Sequence, residues 1–238
     1  MLKHYDHFAL GENMKLFFLL LCVIVLSSCG NKYENMLKNN TAEVRKYLLE
    51  AKDDQMNVSL ILGLREKNYI VNGYATDLIE FGVLTFEFSD YGNIDKNSAS
   101  YELLVGTQKF AGILQENPFD KTLVADIKKM IDPTKKVTAK IISGEFSKEI
   151  ELKFINKDWS VDSDNVYEIV AKKMKNELSQ LSNKNTFEGE VYIKIINDAD
   201  INVSDYYWYV SIIGRGGKRL SLIISPKTKE IMAVNNFV

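Results

Sequence analysis

The 238-residue chain carries 30 Lys and Arg against 32 Asp and Glu, a formal charge of −2. Such a balanced charge argues against an electrostatic nucleic-acid binder, so we expect no nucleic-acid partner. Hydrophobic residues make up 46% of the chain, which suffices for a core in one large domain or two small ones.

The first patterned segment is Met14–Cys29, where a basic start precedes the apolar run Leu16–Leu26. This run is shorter than the roughly 20 residues that cross a hydrocarbon core, but it has the length of a secretory signal. Its ending, Leu26-Ser27-Ser28-Cys29, resembles the lipobox of bacterial lipoproteins. That resemblance implies cleavage before Cys29, lipidation of its thiol, and an extracytoplasmic protein held at a bacterial membrane. The alternatives are an ordinary signal peptide or a buried strand, and either Met1 or Met14 is the start.

Cleavage before Cys29 would remove Cys22 and both histidines of the chain, His4 and His7. The folded part would then lack the residues for Ser-His-Asp or Cys-His catalysis. It would also lack histidine or cysteine ligands for zinc and any disulfide. We therefore expect no catalytic residues, no metal site and no cofactor.

We divide the chain into four parts. Residues 1–28 form the leader and signal peptide, and residues 29–32 form the lipidated tether. Residues 33–157 form an N-terminal α+β region, and residues 158–238 form a C-terminal helix followed by an antiparallel meander.

Apolar spacing predicts two helices in the N-terminal region. The first covers residues 40–51, where Asn40 and Glu43 resemble a capping box, and a second part or an extension of it could include Tyr33, Met36 and Leu37. The second helix covers residues 119–131 and ends before Pro133. Strand patterns occur at Val58–Leu64, Tyr69–Ala75, Leu78–Phe88 and Tyr101–Val105.

The clearest predicted element is a hairpin around the two-residue turn Gly144-Glu145. This turn pairs Val137 with Leu152 and Ala139 with Ile150. The pairing makes one face of the hairpin apolar, so turn register and burial pattern agree.

In the C-terminal region, Asn165 and Glu168 are spaced as a capping box for a helix that reaches Leu181. Four strands are then predicted, at Phe187–Ile196, Tyr206–Ile213, Lys218–Ser225 and Glu230–Val234.

Two segments of the C-terminal unit, Tyr207–Val210 and Leu222–Ile231, make it resemble the cystatin-like and PepSY-type domains of bacterial envelope proteins. Lys229 stands where a glycine is usual in the PepSY pattern. The segment Phe154–Val161 is similar to strand endings in cystatin-like lipoproteins. These resemblances, together with helices that precede antiparallel strands, predict an α+β fold in which helices pack on each sheet.

The first functional hypothesis is a non-catalytic binding or adaptor module whose partner is an envelope protein or peptide. Strand alternation directs Tyr206 and Trp208 to the core, provided that the loop at Gly214–Gly217 is odd in length or bulged. The outer face then carries the predicted binding residues, Tyr192, Tyr207, Tyr209 and Arg219. The alternative is that a second layer of the fold covers these tyrosines.

The second hypothesis is an envelope hydrolase that uses carboxylates. Its candidates are Asp158, Asp162 and Asp164, which lie near Trp159 in the sequence. The alternative for these acids is a solvated loop that caps the following helix, which we prefer on capping chemistry.

Overall fold

The computed structural model describes residues 32–67, 75–92, 94–183, 186–198 and 203–236. The predicted signal peptide, Cys29 and nearly all of the strand expected at Tyr69–Ala75 lie outside these residues. The helices are α1 (residues 32–39), α2 (Ser163–Lys173) and α3 (Lys175–Gln180). The strands are β1 (Thr41–Lys52), β2 (Met56–Glu66), β3 (Leu78–Phe88), β4 (Ser100–Val105), β5 (Gln108–Ile113), β6 (Gln115–Glu116), β7 (Leu123–Ile127), β8 (Val137–Ser143), β9 (Phe146–Phe154), β10 (Ser182–Asn183), β11 (Thr186–Phe187), β12 (Gly189–Asp198), β13 (Val203–Gly214), β14 (Arg219–Ile224) and β15 (Ile231–Asn235).

The expected α+β class, built from cystatin-like and PepSY-like units, is wrong. Strands hold 54% of the described residues and helices 15%, and the strands form a nearly closed antiparallel, barrel-like sheet. The helices predicted at residues 40–51 and 119–131 are wrong, because these segments form β1 and β7. The extension through Tyr33, Met36 and Leu37 is helical and forms α1. The described residues between β1 and α2 therefore form strands, turns and loops.

Strand β1 connects the two halves of the molecule. Residues Thr41–Val44 pair in parallel with β12, whereas Leu49 and Glu50 pair antiparallel with β9. Along its other edge β1 pairs with β2, with a register shift between Arg45 and Tyr47. This bulge bends the strand locally, and the change of partner lets one strand belong to two sheets.

The barrel-like half consists of β1 to β9. From β1 the strand order runs through β2, β3 and β7 to β6 in one direction, and through β9, β8 and β4 to β5 in the other. Only Leu114 separates β5 from β6 in the chain. The ring therefore closes except where β5 faces β7. Its core includes the fully buried Leu60, Leu84, Phe86 and Leu103.

The C-terminal half is the meander β12–β15, which continues the sheet from β1. Side chains of α2 and α3 pack against one face of this meander, around Trp208, Val210 and Ile212. Leu37 of α1 and Leu48 of β1 belong to the same core, so residues before position 50 complete the C-terminal half.

The hairpin and the C-terminal meander are confirmed. Val137 pairs with Leu152 and Ala139 with Ile150, and Gly144 has a positive φ of 58° in a two-residue turn. Five residues separate the paired Ile213 and Arg219, so the loop between β13 and β14 has the odd length that the predicted facing of Trp208 required.

One polar side chain satisfies the backbone of β1 where the strand changes partner. The amide nitrogen of Leu48 donates to Asn156 Oδ1 at 2.9 Å, and Asn156 Nδ2 donates to the Lys46 carbonyl at 2.8 Å. The side chain of Asn156 thus takes the place of a neighbouring strand for these two groups.

We expect Asn156→Ala to lower the free energy of unfolding by about 1–3 kcal/mol, because it leaves a backbone donor and acceptor without partners. The measurement is the urea midpoint at constant m-value. As a control, Asn176→Ala in the exposed part of α3 should stay within about 0.5 kcal/mol of wild type. Equal midpoints for the two variants would contradict this role of Asn156.

Candidate binding site

Strand alternation separates the two faces of β13. Trp208 is fully buried against the helices, and its Nε1 donates to the Val161 carbonyl at 2.8 Å. The prediction that Trp208 faces the core is therefore confirmed. Tyr209 and Ser211 point to the opposite face of the sheet, and neither belongs to the core that α2 and α3 cover. We call this the outer face.

Tyr209 and Arg219 meet on this outer face. The Arg219 guanidinium donates to the Tyr209 hydroxyl and, through Nε, to Ser211 Oγ at 3.2 Å. The Tyr209 hydroxyl also lies 3.2 Å from Ser221 Oγ. These contacts hold an exposed arginine in one orientation, and its remaining N–H groups have no hydrogen-bond partner within the described part of the chain, so they can donate to a ligand.

The two side chains border a groove of about 450 Å³ across β13, β14 and β15, which we call the Tyr209 groove. This volume lies at the lower end of the range for small-ligand sites. Its polar part consists of Tyr209, Arg219, Ser221 and Asn235. Its apolar part is lined by Leu222, Ile223, Ala233 and Val234.

The outer face carries the cations Arg45, Lys194 and Arg219 together with the carboxylates Glu43 and Glu190. Glu43 lies 2.6 Å from Arg45 and 3.9 Å from Lys194, so one carboxylate serves two cations. Among the residues that the structure describes, no carboxylate forms an ion pair with Arg219, whose side-chain partners are hydroxyl groups. Arg219 therefore favours a ligand that brings negative charge or hydrogen-bond acceptors.

The pKa shifts on this face follow from burial and from the neighbouring cations. Burial lowers the pKa of Lys194, and Arg45 and Arg219 lower it further, against the opposing effects of Glu43 and Tyr209. Burial alone would raise the pKa of Tyr209, but the hydrogen bonds with Ser221, Ser211 and Arg219 lower it overall. A nearby cation stabilises the phenolate form.

The four predicted binding residues do not all lie together. Tyr192 is nearly inaccessible, at 4% exposure, and its hydroxyl donates to Glu190 Oε2 at 2.5 Å. Tyr207 lines a separate cleft of about 370 Å³ together with Trp159, Tyr206 and Pro226. Only Tyr209 and Arg219 border the Tyr209 groove, so packing explains Tyr192, as the alternative reading of these tyrosines expected.

Two of the three proposed acidic residues, Asp162 and Asp164, have a structural role at the start of α2. Asp162 is the N-cap of α2: its side chain accepts from the Asn165 amide at 2.8 Å, and the Asn165 side chain accepts from the Asp162 amide. The capping box thus begins three residues before the predicted one. Asp164 lies in the first turn, where a negative charge is favourable. In the described part of the chain, no cluster of three or more His, Cys, Asp or Glu could hold a metal ion.

Two polar contributors to the outer face escaped the sequence reasoning. Glu43 and Arg45 lie on β1, which we predicted as a helix, so their position beside β12 could not be inferred. Lys194 lies on the polar side of the predicted strand, because it alternates with the core residues Ile193 and Ile195.

A second polar contact lies where β1 diverges from the C-terminal sheet. The Tyr206 hydroxyl donates to Glu50. Burial raises the pKa of Glu50 above its usual 4.5, opposed by this hydrogen bond. Burial and the adjacent Glu50 also raise the pKa of Tyr206.

A carboxyl group with a raised pKa binds its proton more tightly in the folded state. Its contribution to stability is therefore fully present in acid and is lost as the pH rises through the unfolded and then the folded pKa. Glu50→Gln removes this titration and keeps an oxygen acceptor for Tyr206. Between about pH 4 and pH 8 we expect the Tm of wild type to fall relative to that of Glu50→Gln; parallel Tm curves would contradict this.

No helix in the described residues is both long and apolar enough to span a membrane. Comparison of the chain with family models, with curated proteins and with solved structures finds no match.

Proposed function

We propose that this chain is a lipid-anchored protein of the bacterial envelope that binds an envelope protein or peptide without catalysing a reaction. The observation that carries the binding role is the Tyr209–Arg219 pair beside an open groove. Tyrosine and arginine are the side chains enriched at the energetic centres of protein interfaces. Here the arginine is oriented by Ser211 and Tyr209, so little conformational entropy is lost when it binds an acceptor.

The anchor rests on the sequence Leu26-Ser27-Ser28-Cys29 and on the few residues between Cys29 and α1. Lipidation with two or three acyl chains anchors a protein stably, whereas a single chain is marginal. An anchor of this kind would hold the folded part within a short reach of the membrane surface.

The binding proposal is tested by cross-linking in intact envelopes, followed by identification of the captured protein. We compare wild type with Arg219→Gln and Tyr209→Phe, and use Lys153→Gln, an exposed cation on β9, as the matched control. We expect both groove variants to lose the captured partner at an unchanged Tm, and the control to retain it. Retained capture by both groove variants, or a large loss of stability in them, would overturn the assignment.

The anchor is tested separately by labelling with radioactive palmitate. Wild type and Cys22→Ala should incorporate the label, whereas Cys29→Ala should not. Equal labelling of Cys29→Ala and wild type would end the lipoprotein proposal.

A further inference from the structure

The barrel-like half has an opening in its wall between β5 and β7. β5 pairs with β4 along its whole length, and β4 is its only partner among the described strands. β7 pairs with β3 over five residues but with β6 only at Leu123 and Val124. The two strands therefore separate beyond Gln115, and an opening of about 390 Å³ lies between them.

The opening reaches from the surface to the core. Its outer rim includes Ile113, which is 73% exposed, and the exposed Asp126. Its inner lining includes the buried Tyr101 and Ala125. A Cβ at Gly112 would lie 3.0 Å from the Tyr101 ring, so the absence of a side chain there lets the ring border the opening.

Backbone groups of both strands point into this opening. The Leu114 amide donates to the Ala99 carbonyl at 2.9 Å. This bond determines which residues of β5 direct their N–H and C=O groups towards β4. By alternation, the N–H and C=O groups of Lys109, Ala111 and Ile113 are directed away from β4. The Asn117 amide donates to the Thr122 carbonyl at 2.8 Å, so Thr122 directs its backbone groups away from β3. Asp126 lies four residues further along, and by alternation its N–H and C=O groups point the same way, into the opening.

This arrangement matches the backbone of one extended polypeptide. Donors and acceptors that alternate at strand spacing are satisfied by another strand, as in peptide recognition by strand addition. Edge strands are usually protected by charges or proline. β5 has one charged residue, Lys109, and no proline, while Ile113 extends an apolar side chain at the rim.

We infer that the opening between β5 and β7 binds an extended segment of another polypeptide, which adds a strand to β5. Side chains of that segment would alternate between the inner lining and the outer rim. Small residues fit against Tyr101 and Gly112, and apolar residues fit against Ile113 and Val83. This surface is independent of the Tyr209 groove, which lies on the C-terminal sheet.

The test selects binders from a phage-displayed library of random linear peptides on wild-type protein and measures them on two variants. Ala111→Pro removes an N–H directed into the opening, and the bonds between β4 and β5 remain. Ala111→Thr is the matched control, because it changes the same exposed side chain and keeps the N–H. We expect the selected peptides to alternate small and apolar residues and to bind Ala111→Pro at least about tenfold more weakly than Ala111→Thr.

A second readout does not depend on how the proline variant folds. Hydrogen exchange on wild type with a selected peptide should show new protection at the amides of Lys109, Ala111 and Ile113. No selected peptide, equal binding to both variants, or no protection at these amides would overturn the inference. So would a dimer of this chain in sedimentation that Ala111→Pro dissociates, because a second copy would then occupy the edge.

Discussion

Leu152→Asp should unfold the protein or lower its Tm by roughly 10 °C or more. Leu152 is 5% exposed and pairs with Val137 inside the barrel-like core. A carboxylate at this position would be buried without a partner, which costs about 3–5 kcal/mol. Each kcal/mol moves the Tm of a chain of this size by about 2–4 °C. The measurement is thermal unfolding followed by far-UV circular dichroism.

The neighbouring Glu151→Lys is the matched control. Glu151 is exposed, and its ion pair with Lys136, at 3.0 Å, lies at the surface. We expect a change of at most about 1 kcal/mol, since such pairs contribute little. Similar Tm values for the two variants would mean that the strand faces are assigned wrongly.

Leu152→Asp also tests whether the two halves of the molecule unfold together. Both tryptophans, Trp159 and Trp208, pack in the C-terminal core, so their fluorescence reports on that half alone. Because β1 contributes Leu48 to one core and Leu49 to the other, we expect the fluorescence and circular dichroism transitions to coincide.

The sequence predicted the elements in which two local signals agree. In the 137–154 hairpin, the alternation of apolar residues and the glycine turn specify the same register. In the meander, clean alternation gave the facing of Trp208. The fold class could not be inferred in this way, because it depends on which strands pair across long stretches of chain, as β1 does with β9 and β12.

The two wrong helices have different physical causes. Strand β1 has a bulge near Lys46 and packs against a core on each of its faces, so Leu48 and Leu49 are both buried, on opposite faces. The alternation of apolar and polar residues that marks a half-buried strand is therefore lost. Around β7 the decisive residues, Leu123 and Ile127, are four positions apart. A spacing of four satisfies both a helix and an alternating strand. The intervening Ala125, also buried, was the signal for a strand.

The candidate sites were predictable only in part, for related reasons. Alternation and the loop length sufficed to bring Tyr209 and Arg219 together. The position of Glu43 and Arg45 could be known only from the pairing of β1 with β12, and the opening beside β5 only from the pairing of β6 with β7. If both proposals hold, one binding surface would lie on each half of the molecule, joined by β1. An adaptor that holds two partners would need this separation.

The connection of the two halves through β1 depends on one glycine of β2. Gly63→Ala should destabilise the protein by about 3 kcal/mol or more. Gly63 lies on β2 opposite Arg45, where the β1 bulge brings the backbone close. An added Cβ would lie 2.0 Å from the Val44 carbonyl oxygen and 3.0 Å from the Arg45 Cα. Both atoms belong to the backbone, so relief requires β1 to move away from β2, which would disturb its pairing with β12.

Gly144→Ala is the control for this prediction, because it also replaces a glycine with alanine. Gly144 has no atom within 4 Å of an added Cβ, and its cost comes only from the positive φ, about 1–2 kcal/mol. We therefore expect the urea midpoint to fall much further for Gly63→Ala. We also expect its tryptophan fluorescence to change, since β1 supports the C-terminal core through Val44 and Leu48. A loss for Gly63→Ala no larger than for Gly144→Ala would show that β1 and β2 do not approach this closely at the bulge.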